Sequence, residues 1–413
     1  MIASLLRFAC VVLCGMGLMA GSTRAADPIR VALIEPLSGP FANIGQSAQY
    51  GFQWEFDRLN AQGGVLNRKY ELIPLDNKSN PQETGLQVQA AISRGAKFII
   101  QGAGSNNAHA GSEAVAKHNA RNPDKLVIYL NHGALDPALT EEKCHYWHFR
   151  FAPHGHMIME AVTDAVARNP AIKRIYIINQ DYVWGHSVAK DAKSMLARKR
   201  PDIQVVGEDL HALGKVKDFA PYIAKVAAAK ADAIVTGNWG NDLALLVKAA
   251  NATRLTTQVY APMAGLPGAP AAIGAAGAGR VHSINFWHPN IENTPFLPQA
   301  NAFKAKYKID YSWLPNHALP QLLNAALRKA GNDDPAKVAA ALRTVRFKGP
   351  TGEVWLRAED HQIIMPIYAT LFVKAGQPGA QYDAENTTFG WKTEGYFDAA
   401  KNPPPVLCRV TPP

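Results

Sequence analysis

The chain has 413 residues, too many for one ordinary core, so two domains are expected. Apolar residues make up 47% and charged residues 18%, a balance that excludes a disordered chain. The net charge of +10 is spread without a dense basic block or an aromatic-basic alternation, so no nucleic-acid partner is expected.

The first 26 residues read as a secretory signal peptide. Arg7 supplies the positive flank, Phe8 to Ala20 is an unbroken apolar run, and "TRA" before "AD" offers small residues for cleavage. A lipid anchor on Cys14 is disfavoured because Leu13 fills the preceding position, where a small residue is needed. The mature chain is therefore expected in the periplasm, without a membrane span. Removing Arg7 and Arg24, with no acid in the leader, leaves a net charge of +8. Cys10 and Cys14 leave as well, so Cys144 and Cys408 remain as a lone pair in a disulfide-permissive compartment and are expected to be bridged.

Beyond the leader the pattern alternates strand and helix. "IRVALIEPL" is nearly continuous in apolar residues, as a buried parallel strand should be. Ile44, Ala48, Phe52, Phe56 and Leu59 fall at helical spacing, and Gly63 and Gly64 end that helix. "KYELIPLDN" is the next strand. Asn80 with Glu83 predicts a capping box, with Pro81 at the first helical position. "AKFIIQG" and "KLVIYLNHG" follow as strands, separated by a helix that begins in "GAGSNN". The rhythm restarts after Arg150 with "IKRIYIINQ", "DIQVVGEDL", "ADAIVTGNW" and "TQVYAPMAG" as strands between helices. "FLPQANAFKAKYK" and "HALPQLLNAALRKAG" predict later helices, "PIYATLFVK" a late strand, and Ala375 to Pro413 a turn-rich tail. The fold class is thus α/β, with two doubly wound parallel-sheet lobes. Ligands of such sheets bind beyond the carboxyl ends of the strands.

The loop "GAGSNN" places backbone N–H groups at a helix N-terminus, which favours an anion. It is not a Walker loop, and Asn107 stands where a G-x-G-x-x-G fingerprint needs its third glycine. G-x-S-x-G, C-x-x-C and H-E-x-x-H are absent, so no catalytic residue, metal or cofactor is expected. His145, His148, His154 and His156 crowd "CHYWHFRFAPHGH", but their spacing matches no familiar zinc site.

With these residues in view, the chain resembles the solute-binding proteins of ABC importers in the leucine/isoleucine/valine-binding family, and within it an aromatic-acid-binding branch. The opening "IEPLSGPFANIGQ" through "LNAQGG" and "DNKSNP" carries that likeness. "GAGSNN", "NHGALDPALT" and "YVWGHSVAKD" match the family's cleft loops, and "KCHYWHFR" is similar to relatives associated with aromatic acids. The resemblance implies a type I periplasmic binding protein fold whose lobes are joined by three crossing strands. Lobe 1 is expected over 27–149 plus 283–345, and lobe 2 over 150–282 plus 346–413, with the ligand between them. It further implies a monomer that delivers a small organic acid or amino acid to ABC permease membrane subunits. A sensing role or a periplasmic enzyme are the alternatives.

The family holds the ligand carboxylate with a serine and backbone amides of the first lobe, and the ammonium with acids of the second. Ser105, flanked by Gly104 and Asn106, sits at the serine position; Gly133 and Ala134 are expected to offer amides; Leu135 replaces the family threonine. The ammonium side is lost: Met263 replaces one acid, and the other falls near His154 and Gly155. Trp184 and Trp239 replace side-chain-clamping tyrosines and, with Ile44 and Met263, would form a flat apolar slot. His154 is a further candidate contact. The implied ligand is a carboxylate with an apolar or aromatic body.

Overall fold

A computed structural model describes residues 27–413; the expected signal peptide lies outside them. The first sheet is parallel throughout, ordered β2-β1-β3-β4-β5. Its strands are β1 (Ile29–Glu35), β2 (Tyr70–Asp76), β3 (Phe98–Gln101), β4 (Ile128–Asn131) and β5 (His148–Arg150). Strands β3 and β4 are buried along their whole length, which explains their unbroken apolar sequence. Helices α1 (Ala42–Ala61), α2 (Pro81–Ser93) and α3 (Ser105–Arg121) connect them. Asn80 caps α2 by accepting from the Glu83 amide at 2.9 Å, with Pro81 in the first turn. The predicted box is half made: the Asn80 amide donates to the Asn77 carbonyl at 2.8 Å, and Glu83 Oε1 accepts from Gln87 at 2.7 Å.

The chain then enters a second lobe through α4 (Gly155–Arg168), β6 (Arg174–Gln180), α5 (Val183–Lys199), β7 (Gln204–His211) and α6 (Ala220–Ala228). It continues through β8 (Ala233–Val235), α7 (Gly240–Ala252), β9 (Gln258–Tyr260), α8 (Ala269–Ile273) and β10 (Val281–Asn285). After β10 it returns to the first lobe as α9 (Leu297–Tyr307), α10 (Pro315–Ala330) and α11 (Pro335–Leu342), where Tyr307 stacks on Tyr50 of α1 at 4.7 Å. A small antiparallel sheet of β11 (Arg346–Gly349), β12 (Gly352–Leu356) and β13 (Ile363–Ile364) follows. The chain ends in the second lobe with β14 (Ile367–Lys374) and β15 (Phe389–Phe397).

The second sheet is ordered β15-β14-β10-β9-β8-β6-β7. It is parallel from β7 to β10, and β14 and β15 add to it antiparallel. Two expectations change here. The predicted boundary at 282/283 cuts β10, a continuous strand of the second sheet, so the return crossing begins after Asn285. The tail expected to be turn-rich contains β15, whose alternating burial reflects its position at the sheet edge.

Three crossings join the lobes, after β5, after β10 and between β13 and β14. Arg150, fully buried, fastens the first crossing to the third. Its guanidinium donates to Gln362 Oε1 at 2.7 Å, to the Asp136 carbonyl at 2.6 Å and to Thr140 Oγ1. Burial lowers its pKa to about 9 against the pull of Asp136 and Asp360, so it remains a cation at neutral pH. After β15 the tail runs back over the small sheet, where the Val410 amide donates to the Glu359 carbonyl at 2.7 Å. Cys408 there forms a disulfide with Cys144, their Cα atoms 6.5 Å apart.

Candidate ligand-binding cleft

A cleft between the lobes encloses about 610 Å³, its open mouth included. The first lobe supplies Ile44 and Ala48 of α1, the loop after β3 and the loop after β4. The second supplies Tyr182, Trp184, Trp239 and the Met263–Pro267 segment. All these loops follow strand ends, as doubly wound sheets dictate.

The polar end is built where β3 passes into α3. Gly104, at φ 87°, turns the chain so that α3 starts with no side-chain cap. The first-turn amides of Ser105, Asn106 and Asn107 therefore carry no hydrogen bond within the described residues. Ser105 is buried, and its Oγ accepts from the Asp136 amide at 3.2 Å. That bond ties the two loops together and leaves the hydroxyl proton free to donate. Gly102 permits the loops' close approach, since a Cβ there would lie 2.5 Å from the Gly133 nitrogen.

Beneath this end sits an arrangement that the sequence reading missed. Glu35, the last residue of β1, is fully buried; its Oε1 accepts from the Gly102 amide at 2.7 Å and faces His132 Nε2 at 2.8 Å. His132 lines the cleft, as do Ser47, Asn316 and Trp313, whose Nε1 donates to the His132 carbonyl at 2.8 Å. Nothing local marks Glu35 or Trp313 as cleft residues, because their roles arise from contacts across long stretches of chain. The glutamate orders the Gly102–Ala103 loop from below and fixes one face of the imidazole.

The apolar end is aromatic. Trp184 is almost fully buried and donates from Nε1 to the Gly237 carbonyl at 2.9 Å. Trp239 donates to the Tyr182 hydroxyl at 2.7 Å and stacks on Phe41 of the first lobe, ring centroids 4.3 Å apart. This stack and the Asn43 Nδ2 to Pro267 carbonyl bond at 2.9 Å hold the lobes closed over the cleft. Burial pushes the Tyr182 phenol well above its ordinary pKa, so it stays protonated. Because its oxygen already accepts from Trp239, its own proton remains available to a ligand.

Ile44, Gly104, Ser105, Gly133, Ala134, Leu135, Trp184, Trp239 and Met263 all line the cleft. Asn106 does not line it with its side chain, which points to solvent from the outer face of α3. His154 also lies outside. It is buried as the N-cap of α4, accepting from the Met157 amide at 3.4 Å, and burial drives its pKa well below the ordinary value. The amides of Gly133 and Ala134, expected to face a ligand, are instead bonded to Asn131 Oδ1 at 3.0 and 2.8 Å. An asparagine closing a turn over the next residues competes for those donors. His156 pairs with Asp191 at 2.7 Å within the second lobe and lies 3.4 Å from Glu141 of the first. His145 is engaged by Ser112 and His148 by the Leu139 carbonyl, so the histidine cluster is divided among separate partners.

Among the described residues that line the cleft there is no Asp, Glu, Lys or Arg. The arrangement offers helix-terminal amides, hydroxyl protons and an apolar aromatic wall, but no direct counter-charge for a cation.

A profile of the periplasmic binding protein family matches residues 28–377. The chain is 34% identical over 412 residues to Leu/Ile/Val-binding protein homolog 4 of Brucella melitensis, covering 96% of this chain and 95% of that one. Its fold superposes on the closed leucine-, isoleucine-, valine-, threonine- and alanine-binding protein of Brucella ovis with a TM-score of 0.82 at 31% identity, covering 94% and 100% of the two chains. An R. palustris solute-binding protein solved with benzoate gives a TM-score of 0.76 at 22% identity, covering 90% and 96%, a likeness of fold. With twin α/β lobes closed on a cleft beyond their strand ends, the chain belongs to the periplasmic binding protein family, as a solute-binding protein of the branched-chain amino acid ABC transporter type.

Proposed function

We propose that the protein is the extracytoplasmic component of an ABC importer that binds a small carboxylic acid with an apolar or aromatic body and delivers it to permease subunits. The single observation that carries this reading is the cleft's asymmetry. Open amides and the Ser105 hydroxyl stand at one end, three tryptophans and Met263 line the remainder, and no carboxylate is present to meet an ammonium. An anionic head gains from the α3 N-terminus and charge-assisted hydrogen bonds. A ring gains from burial against the indoles at roughly 25 cal/mol per Å². An amino acid would strand its ammonium among apolar groups, at a cost of about 3–5 kcal/mol when a buried charge lacks its partner.

Benzoate and isoleucine each appear with solved neighbours of this fold, so the fold admits both ligand types and the cleft residues must choose. Titration calorimetry of ligand-stripped protein with benzoate, 3-methylbutanoate and leucine tests the choice. The acids are expected to bind and leucine to be at least a hundredfold weaker, on the order of the cost above. Tight leucine binding without a response to either acid would sink the proposal.

A further inference from the structure

A second cavity lies behind the ligand cleft, across the Gly265–Pro267 segment, and encloses about 820 Å³ with its mouth included. Both lobes build it. Helix α9 and residues 309–312 come from the first lobe, the β14–β15 loop and Trp391 from the second, and Trp287 from the crossing between them. The lobes meet across it, where the Glu385 amide donates to Asp310 Oδ2 at 2.7 Å.

Its chemistry is the reverse of the front cleft. Indoles of Trp287 and Trp391 form walls, and Tyr382, 46% exposed, stands at the mouth. Asp310, Asp383 and Glu385 line it against a single ammonium, Lys304, which lies 2.8 Å from Asp310. Glu385 also accepts from the Gly268 and Ala271 amides at 2.6 and 3.0 Å, and Asp383 Oδ2 from the Thr388 amide at 3.0 Å. His288 adds no positive charge, because burial drops its pKa to about 3. Its Nδ1 and the Ser312 hydroxyl are buried there without hydrogen-bond partners. Three carboxylates against one cation form a local acidic excess in a chain whose net charge is +10.

We propose that this rear cavity is a second binding site, specific for a small organic cation such as a substituted ammonium. Ring faces attract a cation through their quadrupoles, and the carboxylates supply the remaining counter-charge. An anion would meet repulsion, and a neutral apolar molecule would desolvate the acids without compensating them. Because the walls come from both lobes, an occupant bridges them in the closed arrangement. Pro267 also lines both cavities.

Calorimetry of the whole protein with benzyltrimethylammonium, and with benzyl alcohol as its neutral counterpart, tests the site. Saturable binding of the cation alone is expected. Tyr382→Ala and Asp383→Asn, both near the mouth, should each weaken it by about tenfold. Saturating the front cleft with benzoate should not displace it. The proposal is overturned by absence of saturable cation binding, by equal binding of the alcohol, by indifference to both mouth variants, or by displacement of the cation by benzoate, which would place it in the front cleft.

Discussion

Replacing Ser105 with alanine separates the loop contact that the structure gives this side chain from the ligand contact proposed for it. The residue is 2% exposed, and its Oγ accepts from the Asp136 amide at 3.2 Å. Its proton is thereby left to a ligand carboxylate. Losing a hydrogen bond to a charged group costs about 1.5–3 kcal/mol, which weakens Kd by about tenfold to 150-fold. The amides of α3 and the aromatic wall remain, so binding should weaken without being abolished. The same truncation leaves the Asp136 N–H without its partner inside the protein, a cost of about 1–3 kcal/mol in stability. The bond is long, which favours the lower end. Calorimetry with benzoate measures the first effect, and urea unfolding of ligand-free protein measures the second. Reduced stability with unchanged Kd would refute the carboxylate contact and leave Ser105 as a strut between two loops. Unchanged stability with weaker binding would refute the strut.

Three further perturbations probe the cleft and its closure. Met263→Glu introduces an acid where the sequence resemblance places one in the family, so leucine should bind about tenfold to a hundredfold more tightly and benzoate more weakly, measured by competition calorimetry. His156 has its pKa raised above 6.5, chiefly by the Asp191 carboxylate, with burial and Lys190 opposing and Glu141 assisting from the first lobe. Its stabilisation is therefore complete below about pH 6.5 and lost as pH rises through the elevated folded value. The stability gap between wild type and His156→Gln, followed by thermal melts across pH, should be widest on the acidic side; a constant gap would reject the ion pair. Cys144 and Cys408 are 264 residues apart in sequence. Replacing both with serine should cost about 2–4 kcal/mol in urea unfolding, and two free thiols in the untreated folded protein would remove the bridge altogether.

Much of the fold could be read because it rests on local rules. Strand β1 announces itself as an apolar run, α1 by its helical spacing, and α2 by Asn80 and Pro81. Trp184 and Trp239 were legible as cleft residues because each follows a strand end. Strand β15 was not, since Lys392 and Glu394 on its open face and Gly390 and Gly395 within it hide an edge strand from any apolar count. The amides of Gly133 and Ala134 were misread for a local reason, because "NHG" is itself a turn signal that supplies its own acceptor in Asn131. Glu35 escaped because its partners, at Gly102 and His132, are distant in sequence and meet it only through the sheet order.

These particulars bear on how the cleft selects its ligand. The first lobe contributes nearly all the hydrogen-bonding apparatus at fixed positions, held by Glu35 below and Asn131 and Ser105 at the sides. The second lobe contributes shape through Trp184, Trp239 and Met263. On the proposed reading, a carboxylate docks on the first lobe alone, and discrimination by its tail begins only when the second lobe arrives. Phe41 meets Trp239 across the closed lobes, so the ring proposed to contact the ligand is one of those that latch them. A tail that displaces Trp239 forfeits the latch, at about 0.5–1.5 kcal/mol for an aromatic pair beyond its burial. On this reading, specificity and closure rest on the same indole.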